Sequence, residues 1–473
     1  MSHEMNSVYH EVEFLLPVHR FNIRFSYVTK KGLPFIREFV LRLVHVSPMM
    51  PVDIASYFGL AKREADEAIS DLVDKGDLQF LDSGQIDLTS KSSGYFVGLG
   101  SIPHVSTLME SGGAFAFELA SFNCVGRNRT NENWVPGLRL EVPNETIANS
   151  ERMAKRKFQQ NFYKIQEQGF WEHKSDENEP GRPSIYTMES VRKLGQEPLR
   201  LISKFAVDAE GMQVERADFD VLEDSSTVQE LVTDAIASAQ KPTNFEEIAR
   251  AMDILEDRET RSLFNDNSID VSRLMLDQQA GPLNGSSWVP FLGPVYSKDN
   301  WALIDRHMEE KRSLLEKNNA SPPDLLWLAP SDGFWGQSSR TSACLDELID
   351  QAVTKGKKAV RRYTPKLLVP LQDARDRQGI NRWKQQFPNQ KSNVSGLVEG
   401  FMDGNVEVLL LSDHLAVVSY HISKPESFPV TLPVGYITAD KQKVKLITAL
   451  VTEYVGGVVS FDNPRDLGKI AEL

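Results

Sequence analysis

Residues 34–88 read PFIREFVLRLVHVSPMMPVDIASYFGLAKREADEAISDLVDKGDLQFLDSGQIDL, and this stretch decides the fold of the N-terminal part of the chain. Pro34 precedes an apolar pattern at helical spacing. A second, short helix is predicted to end at Gly59, since proline favours a first helical turn and glycine a helix end. A third helix is predicted over 62–75, where apolar residues recur every three or four positions. Two short strands separated by the turn at 82–84 complete the pattern.

This order of three helices and a hairpin resembles the winged helix-turn-helix family. The resemblance implies DNA binding through the third helix, with Lys62 and Arg63 in its first turn as the contacts to phosphate. Residues 34–90 hold five Lys/Arg and ten Asp/Glu, however, and an acidic surface is repelled by the DNA backbone. The alternative is a winged helix used for protein contact or dimerisation.

The strongest charge feature lies elsewhere, between Lys355 and Lys391. This segment contains eleven Lys/Arg and two acids, whereas the whole chain has a formal net charge of -13. A positive island in an acidic protein is the electrostatic footprint of a phosphate-binding surface, although such runs also occur as ordinary solvated faces. We predict nucleic-acid contacts from the following residues: Lys357, Lys358, Arg361, Arg362, Arg382 and Lys384.

The middle of the chain has a weaker pattern. Residues 95–150 are predicted to form loops and short strands with several glycines. Residues 207–277 contain eighteen acids and six Lys/Arg, partly at helical spacing. They predict an acidic helical region that either is simply solvated or docks onto the basic segment.

The C-terminal third alternates strands and helices. Leu325–Ala329 is predicted to be a buried strand, a helix follows it, and 406–411 and 415–419 are predicted to be two more strands. The fold class is therefore an α/β multidomain protein with an N-terminal winged helix, a mixed central region and a C-terminal α/β sheet domain. We place the domains at 1–95, including an N-terminal extension, at 96–285 and at 286–473.

The segment VLLLSDHLAVVS, residues 408–419, and the strand LWLAP, residues 326–330, resemble parts of the phospholipase D superfamily, which includes nucleases. That family requires a histidine nucleophile and a lysine two residues later. Alignment on Asp413 puts Val406 and Val408 at those positions. The resemblance therefore implies a domain without the covalent phosphoryl intermediate, which keeps at most a phosphate-binding shape.

Other chemistry finds little support in the sequence. Two cysteines exclude a disulfide framework, and no P-loop motif is present. Glu172 and Glu309 each stand two residues before a lysine, as in metal-dependent nucleases, so a nuclease is kept as an alternative. His414 and His421 are predicted to be strand-end residues rather than metal ligands. We predict no cofactor, no metal and no catalytic residue.

The sequence thus favours a cytoplasmic, non-catalytic subunit of a larger complex that binds or senses nucleic acid, with DNA preferred to RNA as the expected ligand. Protein partner subunits are expected and membrane association is not, because the apolar run 406–422 is interrupted at Asp413 and His414. Host defence or a mobile element is the proposed setting. The alternatives are a metal-dependent or phospholipase D-type nuclease and a protein-interaction scaffold that uses the acidic winged helix.

This hypothesis predicts salt-sensitive binding to nucleic acid, largely lost when Arg361, Arg362, Arg382 and Lys384 are all replaced by alanine. Fluorescence anisotropy with labelled DNA and RNA at several salt concentrations measures it. Unchanged binding in the fourfold variant would contradict the hypothesis.

Overall fold

The computed structural model describes residues 6–130, 132–172, 182–222, 226–265, 268–281, 287–315, 322–355, 358–411, 413–456 and 465–473. Within these residues the chain forms helices and several separate β-sheets, which confirms the α/β class.

The chain begins with an unusually long strand, β1 (Ser7–Gly32), which the sequence analysis did not predict. Residues 12–19 are all buried, so both faces of the strand are covered there and the alternation typical of a half-exposed strand is lost. The elements that follow are α1 (Phe35–Val46), α2 (Pro51–Phe58), α3 (Lys62–Asp74), β2 (Leu78–Phe80), β3 (Ile86–Leu88), α4 (Ser90–Ser93) and β4 (His104–Glu118).

The predicted three helices and hairpin are present in α1 to α3 and β2–β3. Gly59 adopts the left-handed conformation, with φ of 65°, at the end of α2, as a helix-terminating glycine does. Buried Leu41, Ile54 and Ile86 belong to a small core of the unit's own. The unit is inserted between β1 and β4, because these strands pair antiparallel up to Gly32 opposite His104.

Residues 95–150 were predicted to form loops and short strands. The structure differs from this prediction in one respect, because β4 is a strand of fifteen residues. The strand has a weak sequence signal because it contains Ser111, Gly112 and Gly113, and glycine has low β propensity. It forms because its backbone groups are hydrogen-bonded to β1. Next come β5 (Cys124–Gly126), β6 (Leu138–Arg139), α5 (Asn144–Ala148), α6 (Ser150–Gln160), α7 (Phe162–Glu167) and β7 (Ser184–Val207), which pairs antiparallel with β1 from Ser7 to Val28.

An aromatic core joins this sheet to the helices α6 and α7. The Phe25 ring lies 5.1 Å from Phe158, 5.6 Å from Phe162 and 5.6 Å from Trp171, measured between ring centres. All four rings are buried.

The acidic region is helical, as predicted. It contains α8 (Ser226–Ala239), α9 (Phe245–Ile254), α10 (Arg258–Arg261), β8 (Phe264–Asn265), β9 (Ser268–Ile269) and α11 (Val271–Ala280). The inward faces of α8, α9 and α11 pack into the same core as the first half of β1.

The C-terminal part is a large mixed sheet. Its elements are β10 (Val289–Leu292), α12 (Lys298–Leu315), β11 (Asp324–Leu328), α13 (Ser339–Asp350), β12 (Ala352–Lys355), β13 (Lys358–Arg361), β14 (Thr364–Leu371), α14 (Arg377–Gln386), β15 (Val394–Val398), β16 (Val406–Leu411), β17 (Leu415–Ile422), β18 (Leu432–Thr438), α15 (Lys441–Gly456) and β19 (Asp466–Lys469). The strand order is β10-β18-β17-β16-β11-β14-β15-β19, and β12 and β13 form a separate hairpin.

Two cores cover the two faces of this sheet. Val408, Val418 and Tyr420 face the acidic helices, α15 and the first half of β1. Trp327, Leu409 and Val417 face the other way, towards buried residues of α12, α13 and α14. The alternation follows from the two-residue period of a strand. None of the helices in the described part of the chain has the length and apolar character needed to cross a membrane.

Replacing Phe25 by alanine is expected to cost about 3–5 kcal/mol in the free energy of unfolding of the first sheet, because a large cavity opens among three other rings. Hydrogen exchange of β4 and α6 peptides under rising urea reports the loss. Tyr186→Ala is the matched control, since Tyr186 is an aromatic residue of β7 that is 69% exposed. Equal protection in the two variants would contradict the expectation.

Candidate functional site

The carboxyl ends of three parallel strands lie side by side in the large sheet. β11 pairs parallel with β14, and β14 pairs parallel with β15. Open α/β sheets bind ligands in the crevice outside such strand ends. A cavity of about 230 Å³ lies here; among its lining residues are Ser331 and Gly333 after β11, Gln372 after β14, Glu399 after β15, and Arg382 of α14.

The helix α14 covers this edge and is held there by specific contacts. The Asp376 carboxylate accepts a hydrogen bond from the Gly379 backbone N–H at 2.9 Å and so caps the first turn. The Trp383 ring N–H donates to the Pro370 carbonyl at 3.1 Å, and the Gln386 amide donates to the Gly336 carbonyl at 2.7 Å. These bonds orient the rest of the helix surface.

The face of α14 that points away from the sheet is polar, and the helix carries no acid between Arg377 and Gln386. Arg377 and Lys384 are seven residues apart and share one side of the helix. Gln378, Asn381, Arg382 and Gln385 form an adjacent stripe at i, i+3, i+4 and i+7. The Arg382 guanidinium lies over the Trp383 ring, 4.8 Å from its centre. We call these six residues the α14 face.

The three cations of the α14 face have no ion-pair partner among the described residues. Two of the predicted cations differ in this respect, because Arg362 pairs with Glu309 and Arg63 pairs with Glu67. Because cations without a carboxylate partner keep their field, the α14 face is the part of the basic segment best suited to hold a phosphate.

A second cavity, of about 460 Å³, lies beside α14. It is lined by the stripe Gln378, Asn381, Arg382 and Gln385, by Gln386 and Gln337, and by the segment around β6 that includes Trp134 and Arg139. The Arg139 guanidinium lies 5.2 Å from the centre of the Trp134 ring. No carboxylate lines this cavity as the described residues define it.

The basic segment itself is divided between two places. Arg362 precedes β14 and pairs with Glu309 of α12 at 3.3 Å. Arg382 and Lys384 follow β14, whose eight residues span about 26 Å. Lys366 within β14 pairs with Asp466 of β19. Lys358 and Arg361 are the first and last residues of β13, and Lys357 lies outside the described residues.

The two cations predicted in the winged helix both begin α3. Lys62 and Arg63 are exposed, and Arg63 pairs with Glu67 of the same helix at 3.0 Å. At the other end of α3, Lys75 pairs with Asp71 at 2.5 Å. The acids of α3 therefore offset its cations in the structure as well as in the sequence.

A buried polar network, which the sequence analysis missed, lies under the loop that follows β11. His421 Nδ1 is 2.8 Å from Asp332 Oδ2, and His421 Nε2 is 3.1 Å from Glu407 Oε2. The ring N–H groups of Trp327 and Trp335 both donate to Glu407 Oε1, at 2.8 and 2.9 Å. We call these five residues the Glu407 network. An acid inside the apolar run VEVLLL was the signal that could have revealed it.

The charges of the Glu407 network follow from its geometry. Burial alone would lower the pKa of His421, but hydrogen bonds and charges from Asp332 and Glu407 outweigh it and raise the pKa to about 9. Burial would raise the pKa of Asp332, yet the bond to His421 and the charge of that ring lower it. His421 is therefore an imidazolium held between two carboxylates.

The candidate catalytic and metal residues are not brought together. Asp413 and His414 are exposed at the turn between β16 and β17, about 20 Å along the strand from buried His421. Val406 and Val408 are buried in β16. Glu309 is occupied by Arg362, and Glu172 is exposed, with the rest of its tripeptide outside the described residues. No group of three His, Cys, Asp or Glu able to hold a metal occurs in the described ranges.

No protein-family model and no curated protein sequence matches the chain. One solved structure is similar over 49% of this chain and 69% of its own, with 10% identity and a TM-score of 0.19; its description reads "Structure of TrmBL2, an archaeal chromatin protein, shows a novel mode of DNA binding.". So low a TM-score carries no argument about this chain.

The Glu407 network predicts a pH dependence of stability. Because the folded pKa of His421, about 9, lies above its unfolded value of about 6.5, the contribution of His421 is complete below pH 6.5 and is lost as pH rises through 9. The loss is roughly 3 kcal/mol. The pKa values of His10 and His19 are lowered to about 4, so these rings titrate below that window.

Urea unfolding between pH 6 and 9.5, followed through hydrogen exchange of β16 and β17, measures this loss. His421→Gln should flatten the decline, whereas His414→Gln, at an exposed position, should keep it. The same decline in the His421→Gln variant would show that another group causes it.

Proposed function

We propose that this chain binds nucleic acid without cleaving it, and that the α14 face is the main contact to phosphate. One observation carries the proposal: the exposed face of α14 presents Arg377, Arg382 and Lys384 with no acid between Arg377 and Gln386, beside the strand ends where α/β sheets bind ligands. The flanking carboxylate of Asp376 is engaged as the cap of the helix. The finer parts of the hypothesis, DNA over RNA and a host-defence or mobile-element complex, remain proposals.

The charge distribution supports binding at a restricted place. Outside the basic segment the chain is acidic overall, so its net charge repels a polyanion, whereas a cluster of unpaired cations attracts one. Arg375, two residues before α14, is also exposed and adds a further cation to this part of the chain. The backbone of a nucleic acid carries one phosphate per nucleotide, and an extended row of cations is complementary to it.

Two alternatives are less favoured by the geometry. A nuclease needs a metal or a nucleophile, and Glu309 is already paired with Arg362. A protein-contact role of the winged helix has one observation in its favour, because α1 exposes Phe35 by 72% and Ile36 by 54%. That role is compatible with nucleic-acid binding by α14, since the two surfaces belong to different elements.

The test compares three variants in a salt titration of binding to labelled single-stranded and duplex DNA and RNA. Arg377→Gln/Lys384→Gln removes two phosphate contacts and should reduce the slope of log K against log salt by about 1.5 to 2. Arg362→Gln is the matched control from the same segment, because its cation is already paired. Lys62→Gln/Arg63→Gln tests the winged helix.

We expect affinity to fall in the first variant only. Loss in the Lys62/Arg63 variant with none in the α14 variant would transfer the contact to the winged helix and overturn the proposal. Thermal unfolding of each variant shows whether the fold is kept, and glutamine preserves the length of the polar side chain.

A further inference from the structure

The 460 Å³ cavity beside α14 has an unusual lining for a surface that holds phosphates. Five side-chain amides meet there, from Gln337, Gln378, Asn381, Gln385 and Gln386, together with Trp134 and two arginines. We propose that this cavity takes a nucleobase, either an unstacked base of a single strand or the base of a free nucleotide. For the single strand, the inference rests on the proposed function of the α14 face.

The amides suit the edge of a base. Each amide offers both a donor and an acceptor, and paired donor and acceptor groups on a base edge are recognised by Asn and Gln side chains. Gln378, Asn381 and Gln385 have no hydrogen-bond partner among the described residues, so their polar groups are available. Their spacing along α14 places all three on one side of the helix, where they line the cavity.

Trp134 supplies a surface for the face of a base. Its ring is half-buried, and Arg139 stacks on it at 5.2 Å. Bases of any sequence stack on aromatic rings, and arginine planes extend such a platform. Arg139 and Arg382 both line the cavity, and a guanidinium group suits the phosphate that a nucleotide brings with it.

The back of the cavity is preorganised. Gln337 and Gln386 are 5% and 4% exposed. The Gln337 side chain accepts from the Gly137 N–H at 3.2 Å and donates to the Gly333 carbonyl at 3.2 Å, and Gln386 donates to the Gly336 carbonyl. Buried amides already fixed by backbone bonds need no ordering when a ligand enters, which favours binding. The volume also lies within the range of small-ligand sites.

The experiment separates the base from the phosphate. Fluorescence anisotropy compares three probes of one length: a single-stranded oligonucleotide, the same strand with abasic sites throughout its centre, and a duplex. Adenosine, cytidine, guanosine and uridine monophosphates are added as competitors. Wild-type protein should bind the single strand at least about fivefold more tightly than the abasic strand, because stacking of one base is lost.

Two cavity variants complete the test. Trp134→Leu should reduce the single-strand affinity to that of the abasic strand, while abasic binding and the salt slope stay as in wild type. Gln378→Leu/Gln385→Leu should likewise remove the preference for the single strand over the abasic strand. Arg377→Gln/Lys384→Gln should weaken both strands by the same factor. Trp134→Phe should keep much of the preference, because its ring still stacks.

The outcomes distinguish this inference from the proposed function. Equal binding of normal and abasic strands by the wild type, with no binding of any monophosphate, overturns the cavity inference and leaves phosphate binding intact. Binding of a monophosphate that Trp134→Leu abolishes, without any strand binding, supports the cavity and overturns the proposed function. Binding of no probe overturns both.

Discussion

The imidazolium of His421, held between the carboxylates of Asp332 and Glu407, is the interaction on which the C-terminal half of the molecule depends. Asp332 belongs to the loop after β11, Glu407 to β16 and His421 to β17, so one ion group joins three parts of the sheet. Two buried indoles complete the bonding of Glu407. Buried charge is tolerable only when it is paired and hydrogen-bonded, and each member of this group is both.

The loop that contains Asp332 also positions elements at the surface of the protein. The loop fixed at Asp332 continues to Gly336, whose carbonyl receives the Gln386 amide of α14. It then reaches Ser339 at the start of α13, whose backbone N–H and hydroxyl both donate to Glu13 of β1, at 2.8 and 2.7 Å. The first strand of the chain and the helix that carries the exposed cations are therefore positioned by the same loop. Removal of one charged partner typically costs about 3–5 kcal/mol, which would affect both.

Local patterns predicted what is locally determined. The helices α1 and α2 follow from apolar spacing bounded by Pro34 and Gly59, α3 from apolar residues that recur every three or four positions, and the strands β16 and β17 from their apolar composition. The long strands β1 and β4 were missed because β1 is buried on both faces and β4 contains two glycines; their hydrogen bonds come from distant residues. The basic segment looked like one continuous surface. The sequence does not show that β14 runs through the segment and separates its cations by the length of the strand. The Glu407 network joins positions 332, 407 and 421, which no local pattern connects.

The place where the unit of α1 to α3 and the β2–β3 hairpin enters the chain has a topological consequence. Gly32 and His104 face each other as the last pair of the β1–β4 ladder, so the seventy-odd residues between them leave and return at one point. A tight turn of two residues would close the same ladder as a simple hairpin. The unit has a core of its own and is in effect an inserted module, and the register of the strands that carry it is set by their own pairing.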